Sequence, residues 1–388
     1  MSLLVLSAND VERVTSNFSP EYLQLLMADV FALTSSSATD SNSSSYTPHR
    51  IAIPTEHHKA LFMPARISAT GTTMKVVAVP TRSNDAGGLP ASTIVLDKNS
   101  GAVKAIVNAR SLTALRNAGG SLLSTTLVGP RNPEHIVAFG AGEQIFAHLD
   151  VHLKAFSSLR TCTIVNRSLN SRVQTVIDKL KPAHPSVDIT VLTLHAKDGT
   201  LNPEVKHKLS NASIIITATP SKVPLFPSSW VPSGVHLILI GSYTPEMKEV
   251  DKDLVMRAVR SKDTVGISPR LLVDSVQACF REAGELLDAG LLEDQMQEIG
   301  TLVLEARARD EKATTKAMRA ILWDGSDSPD SSATRSTTFD GPVTIFKSVG
   351  VGLQDVAIAC AVVEEAKGIQ SEGNGTNLGV LVDNYDKV

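Results

Sequence analysis

Ten residues, His135-Ile136-Val137-Ala138-Phe139-Gly140-Ala141-Gly142-Glu143-Gln144, constrain this chain more than any others. A short apolar run enters a Gly-Ala-Gly turn, and a segment of helical character follows. Such a turn carries bare backbone N–H groups and a helix N-terminus up to a diphosphate. Glycine serves it by tolerating positive φ and by having no Cβ to hold a ligand away. The third glycine of G-x-G-x-x-G is absent, since Ile145 stands in its place. From these residues alone the turn is either a variant dinucleotide fingerprint or an ordinary strand-to-helix turn.

The pattern around it is that of an α/β protein. From about residue 135, apolar runs at His135–Phe139, Thr161–Val165, Ile189–Leu194, Ser213–Thr217 and Val235–Ile240 alternate with helical stretches such as Ser171–Leu180. Alternation of this kind predicts a Rossmann-like, doubly wound parallel sheet. Before residue 110 the reading changes. Met74–Val79 and Ser92–Asp97 are β-rich, with turns at Asn84–Pro90 and Asn99–Gly101, which predicts a separate, largely antiparallel unit. Residues 33–46 are Ser-rich and read as a flexible loop, and Asp324–Asp340 reads as a flexible insert. The Gly/Asn/Asp-rich tail after Gln370 is expected to be poorly ordered.

Composition narrows the partners. At 388 residues the chain is long enough for two domains. A net charge of −3 gives no electrostatic reason to expect nucleic acid or an anionic membrane as partner. No apolar run reaches the roughly 18 residues of a membrane span, and the N-terminus lacks the basic start and cleavage site of a secretory signal. Cys162, Cys279 and Cys360 form neither a disulfide framework nor a metal knuckle, so a cytoplasmic setting is expected.

Several residues are candidates for chemistry. Alternation puts Lys75 on the face of Val77 and Val79, where a lysine either snorkels at a strand edge or serves a site. Arg116 shares a helical stripe with Leu112, Gly119, Gly120 and Leu123. Its planar fork suits a carboxylate, or its head reaches water. Arg50, in Pro48-His49-Arg50-Ile51, reads as a solvated arginine by spacing alone. The second Rossmann strand ends Asn166-Arg167-Ser168, where a free ribose 2′-OH would meet an acid; charge and hydroxyl donors there suit a 2′-phosphate instead, or Arg167 simply points to solvent. His148 and His152 stand four apart but lack the Glu of H-E-x-x-H and a third ligand, so no metal is expected.

Taken in order, these segments resemble the ornithine cyclodeaminase/mu-crystallin family. The pieces are Pro48-His49-Arg50, Met63-Pro64-Ala65, Lys75-Val76-Val77, Gly88-Leu89-Pro90 and Leu112-Thr113-Ala114-Leu115-Arg116. Then come Gly140-Ala141-Gly142-Glu143-Gln144, Gly241-Ser242-Tyr243-Thr244-Pro245, Glu249-Val250-Asp251, Val273-Asp274-Ser275 and Phe346-Lys347-Ser348-Val349-Gly350.

The resemblance implies a substrate-binding and dimerisation domain over residues 1–130, completed by 341–388. It also implies a Rossmann NAD(P)-binding domain over 131–323, a homodimer built through the β-rich part, and a substrate site between the two domains. Arg50, Lys75 and Arg116 match positions that hold a substrate carboxylate, with Lys75 and Arg116 serving catalysis. Asn117, Ala118, Gly140, Ala141, Gly142, Glu143, Gln144, Asn166, Arg167, Ser168, Thr217, Ala218, Thr219, Lys347 and Ser348 match positions lining the cofactor, NADPH in preference to NADH.

Two departures stand out. Tyr243 falls where cyclodeaminases carry an aspartate, and Leu89-Pro90-Ala91-Ser92-Thr93 replaces a common Thr-His-Gln or Ser-His-Gln stretch. The expected activity is reduction of a cyclic ketimine or imino acid. The alternatives are an ornithine or lysine cyclodeaminase and an NADPH-binding protein without turnover.

Overall fold

The computed structural model describes residues 2–36, 44–81, 89–259, 270–323, 338–371 and 378–385. The chain opens with β1 (Leu3–Leu6), α1 (Ala8–Thr15), α2 (Pro20–Ser36), β2 (Ser45–Tyr46), β3 (Ile51–Pro54) and β4 (His58–Ile67). Next come β5 (Gly71–Pro80), β6 (Ala91–Leu96), β7 (Val103–Asn108) and α3 (Leu112–Val128). Then follow β8 (His135–Phe139), α4 (Glu143–Ala155), β9 (Thr161–Asn166), α5 (Ser171–Ala183), β10 (Asp188–Thr193), α6 (Pro203–Leu209), β11 (Ile214–Thr217) and β12 (His236–Leu239). The last third holds α7 (Lys252–Met256), β13 (Arg270–Val273), α8 (Val276–Glu282), α9 (Gly284–Ala289), β14 (Gln297–Glu298), α10 (Ile299–Arg309) and α11 (Thr315–Leu322). It closes with β15 (Thr344–Lys347), α12 (Gly352–Ser371) and β16 (Val380–Val382).

Two compact units result, one of Met1–Arg116 with Gly350–Val388 and one of Asn117–Val349. The chain passes between them within α3 and again after Val349. This division differs from the expected boundaries at 130 and 341. All of α3 after Arg116 belongs to the second unit, and β15 pairs between β12 and β13 in the second sheet.

In the first unit the described strands run β16-β1-β7-β6-β5-β4-β2, with β3 also on β4, and all pair antiparallel except β1 with β7. The period of two divides β4 to β7 into faces. Leu61, Ala65, Thr73, Lys75, Thr93, Val95, Ala105 and Val107 are buried on the inner face, which α12 covers. Phe62, Met74, Val76, Ile94 and Ile106 alternate with them on the outer face and stay half-exposed.

The second sheet is parallel throughout its described strands, in the order β10-β9-β8-β11-β12-β15-β13-β14. Its first five positions follow the 3-2-1-4-5 order of the Rossmann fold, and the sixth is taken by β15, the last of these strands in the chain, inserted between β12 and β13. Both faces are packed. Ile136, Ala138, Ile164, Ile214, Ile216 and Ile238 meet Ile145 and Leu149 of α4 and Val176 and Leu180 of α5, while Val137, Phe139, Ile215, Leu237, Leu239 and Ile345 point the other way. Burial on two faces explains why these strands read as unbroken apolar runs.

Two expectations need correction. Leu33–Ser36 extends α2 rather than opening the Ser-rich loop, with Thr34 and Ser36 hydroxyls donating to the carbonyls of Val30 and Leu33. Ser45–Tyr46 forms β2. The C-terminal tail adds β16 to the edge of β1, anchored by the buried Leu378. The centres of the Ser-rich segment (37–43), the Asn84 turn (82–88, including Gly88), the insert (324–337) and the tail (372–377) lie outside the described residues.

Candidate active site

The first unit gathers the predicted cations. Lys75 sits mid-strand on the inner face of β5, opposite Met63 of β4 and Thr93 of β6. It does not reach an edge; 2% of it is exposed. Its Nζ lies 2.7 Å from Oδ2 of Asp355 in the first turn of α12. Arg116, 3% exposed, donates from Nε to Oδ1 of the same carboxylate at 3.2 Å and from Nη1 to Oε1 of Gln354 at 2.5 Å. The Gln354 oxygen also accepts the Val351 N–H.

Arg50, half-buried just ahead of β3, acts on the charge of Lys75. Burial lowers the Lys75 pKa most, the Asp355 carboxylate pushes it back up, and Arg116 and Arg50 depress it again, leaving it at about 8. The three residues singled out in the sequence are therefore one cluster. The carboxylate at its centre, Asp355, was missed. Its signal was present, an Asp beside a Gln in the otherwise apolar Val351–Val363 run, but spacing does not say which strand such a residue will meet.

The second unit builds the strand-to-helix turn. It lies where the strand order reverses, between β8 and β11, which is where ligands bind in open parallel sheets. Gly140 has φ +116, and a Cβ there would come within 3.0 Å of the Ala218 carbonyl oxygen and 3.3 Å of Ile145. Ile145 at the missing third glycine therefore fills the core beneath the turn. A Cβ on Gly142 would meet nothing within 4 Å. Gly142 also caps α4 without a side chain, so the first N–H groups of that helix are offered outward. These features fit the diphosphate of a nicotinamide dinucleotide.

Asn117 donates to Gln144 Oε1 at 3.3 Å, bracing the turn from α3, and Ala118 is buried beside it. At the end of β9 the Asn166 amide donates to the Ser168 carbonyl at 2.7 Å, leaving Arg167 and Ser168 exposed.

Four predicted cofactor residues turn their side chains inward instead. Thr217 and Thr219 hydroxyls donate to the buried Glu249, which also accepts the N–H groups of Thr219 and Gly241. Burial, and then the nearby Glu285 carboxylate, raise the Glu249 pKa. Lys347 is fully buried, with Nζ 2.9 Å from Glu285 and donating to Ser242 O and Oγ. The Ser242 hydroxyl in turn donates to Glu285. Ser348 donates to Asp274 at 2.7 Å. Glu249, Asp274 and Glu285 thus shape the loops at the strand ends, and only the first two lay in quoted motifs. Tyr243 follows Ser242 and is half-buried.

His148 and His152 are also spoken for, their Nε2 atoms meeting the hydroxyls of Ser121 and Thr125 at 2.9 and 3.0 Å.

Residues 3–267 match the ornithine cyclodeaminase/mu-crystallin family. The chain belongs to that family. Among relatives, the ketimine reductase mu-crystallin of Mus musculus is 27% identical over 275 residues, 69% of this chain and 78% of that protein. The iminosuccinate reductase of Paracoccus denitrificans is 30% identical over 282 residues, 71% of each. This family member also shares its fold with the Δ1-pyrroline-2-carboxylate reductase of Thermococcus litoralis, solved with NADH and L-proline. There the TM-score is 0.70 at 19% identity, covering 96% of this chain and 99% of that one.

Proposed function

We propose that this family member is an NAD(P)-dependent oxidoreductase that reduces the C=N bond of an imino acid, a cyclic ketimine above all, to the amino acid. The observation that carries this reading is the meeting of Lys75 and Arg116 on Asp355 with Arg50 beside them. Three cations against one carboxylate leave the cluster positive and receptive to an anion. The forks of Arg116 and Arg50 suit the substrate carboxylate. Lys75, at about 8, holds a proton through neutral pH yet releases it more readily than an ordinary lysine. Its role is to hold that proton at the imine nitrogen.

Gly140–Gln144 and the start of α4 would hold the dinucleotide. When bound, its nicotinamide supplies the hydride. NADPH is the expected form, because β9 ends in Asn166, Arg167 and Ser168 without a carboxylate to pair a free 2′-OH. Tyr243, where the resemblance puts the cyclodeaminase aspartate, favours reduction over ring closure with loss of ammonia. The relatives named as ketimine and iminosuccinate reductases support the same choice.

A second copy of the chain is the expected partner of the apolar outer face of β4–β7. A reducing, cytoplasmic compartment suits three buried, unpaired cysteines. No helix among the described residues is long and apolar enough to cross a membrane.

Purified protein given NADPH with Δ1-piperideine-2-carboxylate or Δ1-pyrroline-2-carboxylate is expected to consume the cofactor, faster than it consumes NADH. Failure with both, together with ammonia release from ornithine and no net change in cofactor, overturns the reading in favour of a cyclodeaminase. NADPH binding by fluorescence with no turnover of a broad imino-acid panel would instead leave a binding protein.

A further inference from the structure

Asp355 is the point at which two buried cations meet. It lies in the first turn of α12, the helix that covers the inner face of β4–β7. Lys75 Nζ stands 2.7 Å from one carboxylate oxygen and Arg116 Nε 3.2 Å from the other, with all three side chains 3% exposed. The elements packed around Lys75 present Arg50 from ahead of β3, Arg116 from α3 and Asp355 from α12. Its cross-strand neighbours, Met63 and Thr93, are uncharged. Asp355 is the anion of this set. A lysine buried among arginines without a counter-charge sheds its proton, and an arginine whose fork is unanchored loses its aim.

Resting on the imine-reductase reading, we propose that Asp355 is a positioning residue, which keeps the Lys75 ammonium charged and aimed for proton transfer and orients the Arg116 fork for the substrate carboxylate. In the reduction the C=N π bond breaks. The nitrogen takes a proton from Lys75, the carbon takes a hydride from the reduced nicotinamide, and neutral Lys75 regains its proton from solvent. Asp355 touches neither reacting atom; it acts through Lys75 and Arg116.

The sign of the effect follows from the charges. Burial, Arg116 and Arg50 lower the Lys75 pKa, whereas the charge and hydrogen bond of Asp355 raise it. Activity that needs the ammonium falls as pH rises through the Lys75 midpoint. Asp355→Asn removes the raising influence, so the alkaline limb of kcat/KM is expected to move down by about 1–3 pH units. KM for the imino acid is expected to rise as Arg116 loses its anchor. Asp355→Glu, which restores the charge, brings the limb back toward that of the unaltered protein.

Side-chain 15N NMR of the lysine Nζ groups, assigned with Lys75→Arg, reads the same midpoint without substrate. Absence of turnover by the unaltered enzyme would thus sink the reductase reading, while the NMR titration still judges Asp355. A folded Asn variant whose Lys75 midpoint and alkaline limb match the unaltered protein overturns the proposal. Should the Asn variant not fold, Asp355→Glu carries the test. A midpoint unchanged within about half a pH unit supports a charge role, and a fall of about one unit or more overturns it.

Discussion

Lys75 shows what a sequence can and cannot say about one residue. Alternation put it on an apolar face, and two readings of such a lysine stood open. The neighbours decided between them, since Lys75 is mid-sheet, has no edge to snorkel from, and ends on Asp355. Arg116 was resolved by the same carboxylate.

Its setting also depends on Gly350, which has φ +86. A Cβ there would sit 2.7 Å from Arg116 Nη1 and 2.9 Å from Nη2. Backbone is not in the way, so the guanidinium would be the part to give. Gly350→Ala is therefore expected to cost about 1–2 kcal/mol from the left-handed backbone alone, read by urea unfolding. Beyond that loss, it should raise KM for a carboxylate substrate by displacing the Arg116 fork. A variant that is destabilised but keeps its KM would show that Gly350 serves only the backbone.

At the scale of elements, the His148-Leu149-Asp150-Val151-His152 run reads like half a metal motif and does something else. On α4, His148 Nδ1 and His152 Nδ1 meet the carbonyls of Gln144 and His148, and their Nε2 atoms meet Ser121 and Thr125 of α3. His236 of β12 joins Ser124 of α3 to Thr344 of β15. Three buried imidazoles thus tie α3 to the sheet and to the helix after the dinucleotide turn. The local spacing gave the histidines but not the hydroxyls, which come from a helix some 27 residues earlier for each α4 pair.

Burial lowers all three pKa values, to about 3, 4 and 3 for His148, His152 and His236. The unfolded chain, with ordinary values near 6.5, therefore binds protons that the folded chain refuses. Their contribution to stability is full above about pH 6.5 and is lost as pH falls toward 4 and below. Each histidine is expected to cost about 2 kcal/mol between pH 7 and pH 5, measured by urea unfolding at both values. His152→Gln should flatten this dependence. A protein equally stable at both pH values would sink the account.

The whole molecule is the scale at which the outer face of the first sheet matters. Cross-strand register aligns Pro64, Met74, Ile94 and Ile106 in one row and Ile51, Phe62 and Val76 in another. Ile51 is 60% exposed. A contiguous apolar sheet face of this kind is a liability in a lone chain and an asset in a symmetric dimer. Sedimentation velocity is expected to find a dimer, and Ile94→Lys, which puts a charge amid that row, is expected to yield folded monomer. An unaltered chain that sediments as a monomer at micromolar concentration would rule the dimer out.

The sequence by itself determined five of the eight described strands of the parallel sheet, β8 to β12, because strands buried on both faces read as unbroken apolar runs. The strands β13, β14 and β15, short and carrying polar residues, showed no such run. Residue type and local spacing also marked the Gly-Ala-Gly turn, Lys75 and Arg116 as candidates, each with a second reading open, whereas Arg50 was singled out only by the family resemblance. Only the tertiary structure decided that Lys75 and Arg116 share Asp355, from a helix some 240 residues away for Arg116. Likewise it decided that Thr217, Thr219, Lys347 and Ser348 turn inward onto buried carboxylates. The reason is physical. Periodicity reports which way a side chain faces its own layer, whereas a buried charge is defined by the counter-charge that folding brings to it from elsewhere in the chain.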